Sequence, residues 1–277
     1  MSTRLRDALS GRLATTRYEP TGKRIRAALG GAPVLDSTAA VLLWEPRRVV
    51  PTFAVPAADV LADLRPGAAV GPVAEDLGLA LPAVSDRPVL DPSIPFAAHT
   101  ADGEPLDVVA GASTAAGAGF RLHDAELAGH VVLDFAAFDW REEDEPLLGH
   151  PKDPFHRIDV LRSSRHVRLE LDGVVLAESS RPTMLFETLL PARFYLPAED
   201  VRVQLAPSAT RTRCAYKGAA SYSSVVLPDR TVPDLVWSYP RPEPESAGVR
   251  DLLCFFDERV DVVVDGERRP RPRTPWS

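Results

Sequence analysis

Residues 166–187, HVRLELDGVVLAESSRPTMLFE, repeat residues 24–45, RIRAALGGAPVLDSTAAVLLWE, at a spacing of 142 positions and without a gap. Six of the 22 aligned pairs are identical: Arg26/Arg168, Leu29/Leu171, Gly31/Gly173, Ser37/Ser179, Leu43/Leu185 and Glu45/Glu187. After a slip of one residue, the similarity continues where residues 56–60 meet residues 197–201. Internal similarity of this length indicates that the chain holds two copies of one structural unit.

The second copy has the pattern of a β protein. Its segment VRLEL, residues 167–171, alternates apolar and polar residues, as a half-buried strand does. Asp172-Gly173 follows, which is a signal for a two-residue hairpin turn. We therefore predict a mostly β fold, with strands in the second copy at 167–171, 174–177, 183–190, 194–196, 201–205, 219–227, 235–239 and 260–264.

One late α-helix is predicted in each tandem repeat. In the second copy it spans 244–256, PESAGVRDLLCFF, because Val249, Leu252, Leu253 and Phe256 lie on one helical stripe. In the first copy it spans 124–138, DAELAGHVVLDFAAF. The predicted domains are residues 14–149 and 150–277. The first copy is longer by about 22 residues, and we place the extra residues in a surface loop over 66–95, which is rich in Ala, Pro and Gly.

Composition excludes several classes of function. The net charge of −7 argues against binding to nucleic acid, which selects basic surfaces. We expect a cytoplasmic protein with no membrane contact, because there is no signal-like start and no apolar stretch of about 20 residues. The two cysteines, Cys214 and Cys254, form no metal-binding pattern, and no phosphate-binding loop occurs, so we expect no metal and no cofactor. The basic tail, RRPRPR at 268–273, is interpreted as a solvated end.

Glu187 is the first candidate for a functional residue. On a strand it shares a face with Leu185 and Leu189, so its carboxylate is expected to be buried, and Glu45 repeats this pattern in the first copy. A buried carboxylate must be paired or protonated. It is either an acid or ligand anchor of a pocket, or one half of a structural ion pair with Arg168 or Arg193.

The segment Cys214-Ala215-Tyr216-Lys217-Gly218 is the second candidate. A lysine beside a thiol favours the reactive thiolate, and a turn at Lys217-Gly218 would bring the two side chains together. The nearest counterpart in the first copy, FAAHT at 96–100, lacks both groups. The alternative interpretation is an inert buried cysteine beside a surface lysine.

Two further groups contain candidate side chains. Aromatic residues with an arginine can line a cavity for an anionic or planar ligand, although the same residues can simply pack a β core. This group consists of Arg193, Tyr195, Tyr222, Trp237 and Tyr239. The stretch HPKDPFH at 150–156 contains metal-ligand residue types, but its prolines favour a link between domains.

The second copy resembles the family called domain of unknown function 427. The resemblance rests on residues 150–188, on LPARFYLPAEDV, on TRTRCAYKGAASYSSV and on DLVWSYPRPEPES. The family's cysteine motif is C-P-Y-K-G-x-A-x-Y, and Ala215 replaces its proline here. The resemblance implies a β-tent-like fold, in which two sheets meet at an angle over a cleft. It also implies that the family's polar set comprises Glu187, Arg193, Tyr195, Cys214, Tyr216, Lys217 and Tyr222.

These observations predict a small-molecule-binding protein or enzyme with a cleft in the second domain, the first domain being a scaffold. Glu187 and Lys217 are candidate acid–base or anchoring groups, and Cys214 is a candidate nucleophile. An anionic or planar ligand is expected to contact Arg193, Tyr195, Tyr216, Tyr222 and Trp237. The alternative is a non-catalytic interaction module with a satisfied buried polar network. We expect either a monomer that is an internal pseudo-dimer or a weak homo-oligomer.

Overall fold

A computed structural model describes residues 2, 5–68, 73–80 and 85–274. The chain divides into two compact units, Met1–Asp153 and Pro154–Ser277. Both units consist mainly of strands, so the predicted mostly β fold is confirmed. Among the described residues, none of the helices has the length and the apolar composition needed to traverse a bilayer.

The first unit begins with a short helix, α1 (Leu5–Ser10), and contains eleven strands among its described residues. They are β1 Arg17–Pro20, β2 Ile25–Leu29, β3 Ala32–Ser37, β4 Val41–Trp44, β5 Thr52–Pro56, β6 Asp63–Pro66, β7 Gly103–Ala110, β8 Ser113–Leu122, β9 His130–Leu133, β10 Asp139–Glu142 and β11 Glu145–Pro146. Short 3₁₀ turns lie at Gly11–Ala14, Ala57–Asp59 and Phe135–Ala137.

The second unit also contains eleven strands among its described residues. They are β12 Ile158–Arg162, β13 Val167–Leu171, β14 Val174–Ser179, β15 Thr183–Glu187, β16 Arg193–Leu196, β17 Gln204–Cys214, β18 Gly218–Val226, β19 Thr231–Ser238, β20 Leu253–Phe255, β21 Asp261–Val264 and β22 Glu267–Arg269. Its 3₁₀ turns lie at Ala198–Asp200 and Pro244–Val249.

The two units have the same strand order. The seven-stranded sheets run β1-β4-β5-β9-β8-β7-β6 and β12-β15-β16-β20-β19-β18-β17. The four-stranded sheets run β11-β10-β2-β3 and β22-β21-β13-β14. Adding eleven to each label of the first unit gives the second unit strand for strand, so each strand of one unit has a counterpart in the other. The predicted repeat of one β fold is confirmed.

The core of the second unit contains side chains from both of its sheets. The small sheet supplies buried residues such as Val167 and Leu169, and the large sheet supplies buried residues such as Phe194, Leu196 and Phe255. A corresponding cluster forms the core of the first unit. Burial of apolar area at about 25 cal/mol per Å² is the main stabilising contribution in such a core. The seven-stranded sheet of the second unit packs against the small sheet with one face, and the side chains described below lie on its other face.

A serine and an aspartate fix the same loop in both units. Ser37 Oγ donates to Asp59 Oδ2 at 2.6 Å, and in the second unit the hydroxyl of Ser179 lowers the pKa of the Asp200 carboxyl. The neighbouring bridges, Leu35 to Val60 and Ala177 to Val201, have the same one-residue slip as the sequence repeat. The aligned register at 24–60 and 166–201 is thus the register of the folded units.

The two predicted late helices are wrong. Residues 244–256 form the 3₁₀ turn Pro244–Val249 and then strand β20, and Asp251 has a left-handed φ of 62° between them. Residues 124–138 contain strand β9 and the turn Phe135–Ala137. Both strands are central in their sheets. A central strand can be apolar at every position, so its residues also satisfy a helical stripe.

The predicted surface loop over 66–95 lies partly outside the described residues, at 69–72 and 81–84. Most of its described residues are exposed or half-buried, as predicted, but Val89, Leu90 and Asp91 are buried. Leu79 pairs with Val89, and Leu90 pairs with Arg48. The basic tail is not wholly solvated as predicted, because its first two residues belong to the exposed strand β22 and its Arg268 and Arg271 form ion pairs with Asp261.

Candidate functional site

One face of the second seven-stranded sheet carries most of the predicted site residues. Residues directly opposite each other in an antiparallel ladder point to the same side. The pairs that define this face are Leu185–Arg193, Thr183–Tyr195, Tyr195–Cys254, Cys254–Trp237, Trp237–Tyr222 and Cys214–Gly218. We call this side the polar face; with the alternate residues of each strand, it includes Glu187, Arg193, Tyr195, Cys214, Tyr222 and Trp237.

Glu187 ends strand β15 and lies in a buried ion-paired cluster. Its side chain is 7% exposed, and that of Lys217 is 11% exposed. Lys217 Nζ donates to Glu187 Oε2, and His156 Nε2 lies 3.0 Å from Glu187 Oε1. The predicted burial and pairing of Glu187 are confirmed, but the predicted partners are wrong: Arg168 pairs with Glu170, and Arg193 is bound elsewhere.

The charge of Glu187 is fixed by its partners. Burial alone would raise the pKa of this carboxyl, but the hydrogen bond from His156 and the charge of Lys217 outweigh burial and lower its pKa to about 2. Glu187 is therefore a carboxylate at neutral pH. It holds the ammonium of Lys217 in the unit's interior.

The turn between β17 and β18 directs Lys217 to this carboxylate. Cys214 pairs with Gly218 across residues 215–217. Gly218 has a φ of 93°, and a Cβ there would lie 3.1 Å from the carbonyl oxygen of Arg241. Two residues after Arg241, Glu243 donates its backbone N–H to the carbonyl oxygen of Lys217 at 3.2 Å. Glycine is required at this position for both its conformation and its close packing.

Tyr216 occupies the same turn and packs against the histidine of the cluster. Its ring stacks on His156, with centroids 4.3 Å apart and planes at 24°. Tyr216 is buried, and its carbonyl accepts a long hydrogen bond of 3.5 Å from Ser246 Oγ. The turn thus contributes an aromatic ring and an ammonium to one cluster, together with a histidine from the segment that precedes β12.

The two cysteines differ in accessibility. Cys214 is half-buried, whereas Cys254 is completely buried. Burial raises the pKa of the Cys254 thiol well above its usual value. Near Cys214 lies the buried phenol of Tyr239, whose pKa is raised by burial and by the proximity of Cys214 and Glu187. Cys214 is thus the thiol that solvent reaches, at the end of a buried polar region.

Arg193 is bound by an internal carboxylate. Its guanidinium donates to both oxygens of Glu258, at 2.9 and 2.6 Å, and lies 3.9 Å from Asp257. It also lies 5.5 Å from the ring centroid of Trp237. Burial lowers the pKa of Arg193, but the two carboxyl groups more than offset this and raise it. The group predicted to clamp an anion is therefore already engaged within the protein.

Asp257 and Glu258 were not predicted from the sequence. Burial raises the pKa of Asp257 to about 7, with Arg193 opposing and Glu258 reinforcing the rise. Glu258 behaves differently: burial would raise its pKa, but the hydrogen bond and charge of Arg193, with the hydrogen bond from Thr274, together outweigh burial and lower its pKa. Two adjacent acidic residues directly after the buried FF pair of residues 255–256 were the available signal.

Tyr195 and Trp237 form the floor of the polar face. Trp237 Nε1 donates to the hydroxyl of Tyr195 at 3.1 Å, and the rings meet edge to face. Tyr195 is 1% exposed and Trp237 is 8% exposed. Both side chains are thus part of the core cluster, as the alternative interpretation of the aromatic residues predicted.

The polar face opens to solvent at strands β17 and β18. The hydroxyls of Tyr222 and Thr212 are 2.9 Å apart. Thr212 is exposed, and Tyr222 and Cys214 are half-buried. The ring of Tyr222 is nearly parallel to that of Phe256, at 17°, with centroids 6.4 Å apart. A thiol, two hydroxyls and an aromatic ring therefore lie on the same accessible edge of the sheet.

In the first unit, the same positions are almost entirely apolar. The strand registers identify the equivalent positions of the two units. Thr52 corresponds to Arg193, Ala54 to Tyr195, Val132 to Cys254, Phe120 to Trp237 and Pro105 to Tyr222. The corresponding face forms a separate hydrophobic cluster of Val41, Leu43, Ala54, Phe120, Leu122, Leu127 and Val132. Of the site residues, only Glu187 has the same residue type at its equivalent position, which is Glu45.

Glu45 is closed off by the connection between β6 and β7. Its oxygens bind His99 Nδ1 at 2.7 Å and the backbone N–H groups of Thr100 and Ala101 at 2.6 and 2.9 Å. The ring of His99 stacks on Phe120 at 3.8 Å. The depression beside Glu45 leaves no room for a water-sized molecule. The segment 96–100, predicted as the nearest counterpart of the cysteine motif, thus covers Glu45 in the first unit.

The edge strands differ at the same place. Strand β6 ends at Pro66, whereas β17 continues past the equivalent Pro207 to Cys214. Among the described residues of the first unit, the part of β17 that carries Thr212 and Cys214 therefore has no counterpart strand. The polar face and its accessible edge are features of the second unit.

The two histidines of the 150–156 stretch make separate contacts. His156 contacts Glu187, and His150 Nδ1 donates to the carbonyl of Pro151 at 2.8 Å. Within the described ranges, no group of three or more His, Cys, Asp or Glu side chains is arranged to hold a metal ion.

Comparison with known families agrees with this geometry. Residues 159–266 match the model of a family described as Domain of unknown function (DUF427). The match covers most of the second unit and none of the first. None of the curated proteins compared with the chain matches it. The second unit is a DUF427 domain, and the first unit, with the same strand order and a largely apolar version of the polar face, is its diverged copy.

Proposed function

We propose that the second unit binds a small molecule at the accessible edge of its polar face, and that the first unit is a scaffold. The observation that carries this proposal is the contrast between the two faces. Four of five paired positions that are polar or aromatic in the second unit are occupied by Ala, Val, Phe and Pro in the first.

The contrast supports a use beyond folding. Burial of charged and polar groups costs free energy unless each is paired, and well-packed apolar residues of similar volume often replace them without loss. The first unit folds with such an apolar face. The polar set of the second unit is therefore not a requirement of the strand order, and ligand binding accounts for its presence.

The residues have different roles in this proposal. Cys214, Tyr222 and Thr212 contact the ligand, because they reach solvent. Glu187, Lys217 and His156 hold the 215–217 turn, and Arg193 with Glu258 supports Trp237. An acid–base role for Glu187 is disfavoured, because such catalysis is most effective when the pKa lies near the working pH. Cys214 remains the candidate nucleophile if the unit is an enzyme.

A second candidate function is a non-catalytic interaction module. The observation that favours it is the internal pairing of the buried charges, Lys217 with Glu187 and Arg193 with Glu258. A fully paired network gives a unit a single rigid structure without any ligand. We rank it second because it does not explain the accessible thiol and hydroxyl groups beside the network.

Protection of Cys214 from alkylation tests the proposal. Iodoacetamide should modify Cys214 and not the buried Cys254, so mass spectrometry reads one site. We expect members of a metabolite collection to slow this reaction and to raise Tm in the wild-type protein. Both effects should be lost in Thr212→Val, with Thr210→Val as the matched control on the same strand. If no compound protects Cys214 or changes Tm, the interaction module becomes the better proposal.

The proposal includes a cytoplasmic protein that acts as a monomer, without nucleic acid or membrane partners. The motive is the composition, with a net charge of −7 and no cysteine framework. Sedimentation of the purified chain checks the monomer; a concentration-dependent dimer would support the weak homo-oligomer instead.

A further inference from the structure

The charges of the polar face limit the ligand that it accepts. Its two buried cations, Lys217 and Arg193, are each neutralised by an internal carboxylate, and Asp257 adds a second acidic group beside Arg193. An anionic ligand would have to displace Glu258 from a two-bond contact or Glu187 from a buried ion pair. Loss of one partner from such a pair is strongly unfavourable. The face is therefore suited to a neutral ligand.

The aromatic rings at the accessible edge indicate the shape of that ligand. Tyr222 and Phe256 lie nearly parallel, and the other side of the cluster is closed by Trp237, whose ring centroid is 4.5 Å from that of Phe256. The half-buried ring of Tyr222 thus lies on a rigid aromatic base. Aromatic rings attract other flat rings in offset-stacked or edge-to-face arrangements.

Hydroxyl groups accompany this ring. Tyr222 OH and Thr212 Oγ1 are 2.9 Å apart, so one donates to the other and the pair retains both donor and acceptor capacity for a ligand. Cys214 lies two residues along the same strand face from Thr212. A flat ring on Tyr222 would place its polar substituent among these three groups.

We propose that the ligand of the second unit is a neutral aromatic or heteroaromatic ring that bears a hydrogen-bonding group, stacked on Tyr222 beside Cys214. This inference rests on the proposed function and specifies its ligand class. In the first unit, Pro105 occupies the position of Tyr222 and the edge strand stops at Pro66, so the class applies to the second unit alone.

Three fluorinated probes of similar size test the ligand class. They are 4-fluorophenol, which is flat and neutral, 4-fluorobenzoate, which is flat and anionic, and trans-4-fluorocyclohexanol, which is neutral and not flat. Fluorine NMR titration with the full chain measures each Kd, and slowing of Cys214 alkylation locates each probe. We expect 4-fluorophenol to bind most tightly, in the millimolar range typical of about ten-atom ligands.

Variants of the platform sharpen this test. Tyr222→Leu should weaken 4-fluorophenol binding about fivefold, as expected for loss of one aromatic contact. Tyr222→Phe keeps the ring, so it should lose less than Tyr222→Leu and provides a second variant if the leucine form folds poorly. Tyr18→Leu removes an exposed tyrosine of the first unit and is the matched control, with no expected change.

Several outcomes would overturn the inference. Tighter protection of Cys214 by 4-fluorobenzoate, or equal protection by trans-4-fluorocyclohexanol, would reject the neutral flat ring and leave the small-molecule site standing. Equal affinities of wild type, Tyr222→Leu and Tyr222→Phe would reject the platform. If neither the probes nor the metabolite collection slowed alkylation, both the ligand class and the proposed function would be rejected.

Discussion

The carboxylate of Glu187 and the ammonium of Lys217 form an ion pair that connects the end of one strand to a turn 30 residues later. Both side chains are nearly excluded from water. In a buried pair of this kind, each charge depends on the other, since removal of one leaves the other unpaired in the interior.

Glu187→Ala should therefore destabilise the second unit by about 3–5 kcal/mol, because it strands the Lys217 ammonium. Urea titration of the whole chain, followed unit by unit through hydrogen exchange of peptides, measures the loss. Glu199→Ala is the control, because its pair with Arg181 is exposed and such pairs contribute about 0–1 kcal/mol. Equal losses in the two variants would contradict the buried pair.

The stability of the second unit should fall in acid through Glu187. Its pKa is lowered from 4.5 to about 2 in the folded unit. A lowered pKa stabilises the folded state above the unfolded pKa, and this contribution is lost as pH falls through the folded value, between about 5 and 2. The contribution at neutral pH is about 3 kcal/mol. Glu187→Gln should lack this part of the acid dependence in urea titrations at pH 2.5–6.

Asp257 should have the opposite effect near neutral pH. Its pKa is raised from 3.8 to about 7, so the folded state binds the proton more tightly than the unfolded chain. The contribution of Asp257 to the free energy of unfolding is therefore greatest below about pH 4, and it is lost as pH rises to about 7. Asp257→Asn should be more stable than wild type at pH 8, by up to about 4 kcal/mol. A thermal melt at pH 5 and pH 8 compares the two proteins, with the exposed Asp229→Asn as control.

Gly218→Ala should destabilise the turn that presents Lys217. Gly218 has a φ of 93° and is packed against the Arg241 carbonyl, whereas Gly266 has a φ of 83° with nothing near its Cβ position. Gly266→Ala therefore reports the conformational cost alone, about 1 kcal/mol. We expect a larger loss for Gly218→Ala, together with faster hydrogen exchange of the 215–218 turn. Equal losses would show that the close contact with the 241–243 segment has no energetic effect.

The features predicted correctly from the sequence depend on local signals. The 142-residue register survives in the β2–β3 and β13–β14 hairpins, because strand alternation and the turn residues are encoded within about twenty residues. The Asp172-Gly173 turn has positive φ at both residues, as the sequence predicts. The burial of Glu187 followed from strand alternation with Leu185, although β15 ends at Glu187 and Leu189, with a φ of 67°, is not on the same strand face.

The features predicted wrongly depend on distant contacts. The partner of Arg193 is 65 residues away, and no local pattern identifies Glu258 among the acidic residues of the chain. Late in the repeat, the sequence offers only short matches such as Phe138-Asp139 with Phe256-Asp257, and an alignment on this match is wrong. The strand registers instead make Asp139 equivalent to Asp261, because these residues lie opposite the equivalent residues Ala28 and Glu170. Two-residue matches contain too little information to fix a register.

The paired prolines Pro66 and Pro207 have a consequence for how such a chain can change. Up to these residues the two edge strands are equivalent. The two copies become equivalent again at Gly103 of β7 and Ala220 of β18. Between those points, one copy inserts a sealing segment and the other inserts a short hairpin that bears a thiol. Part of the difference between the copies thus lies in one segment between fixed anchor points: residues 99–101 cover Glu45 in the first copy, whereas residues 208–217 extend the edge strand and carry Cys214 in the second.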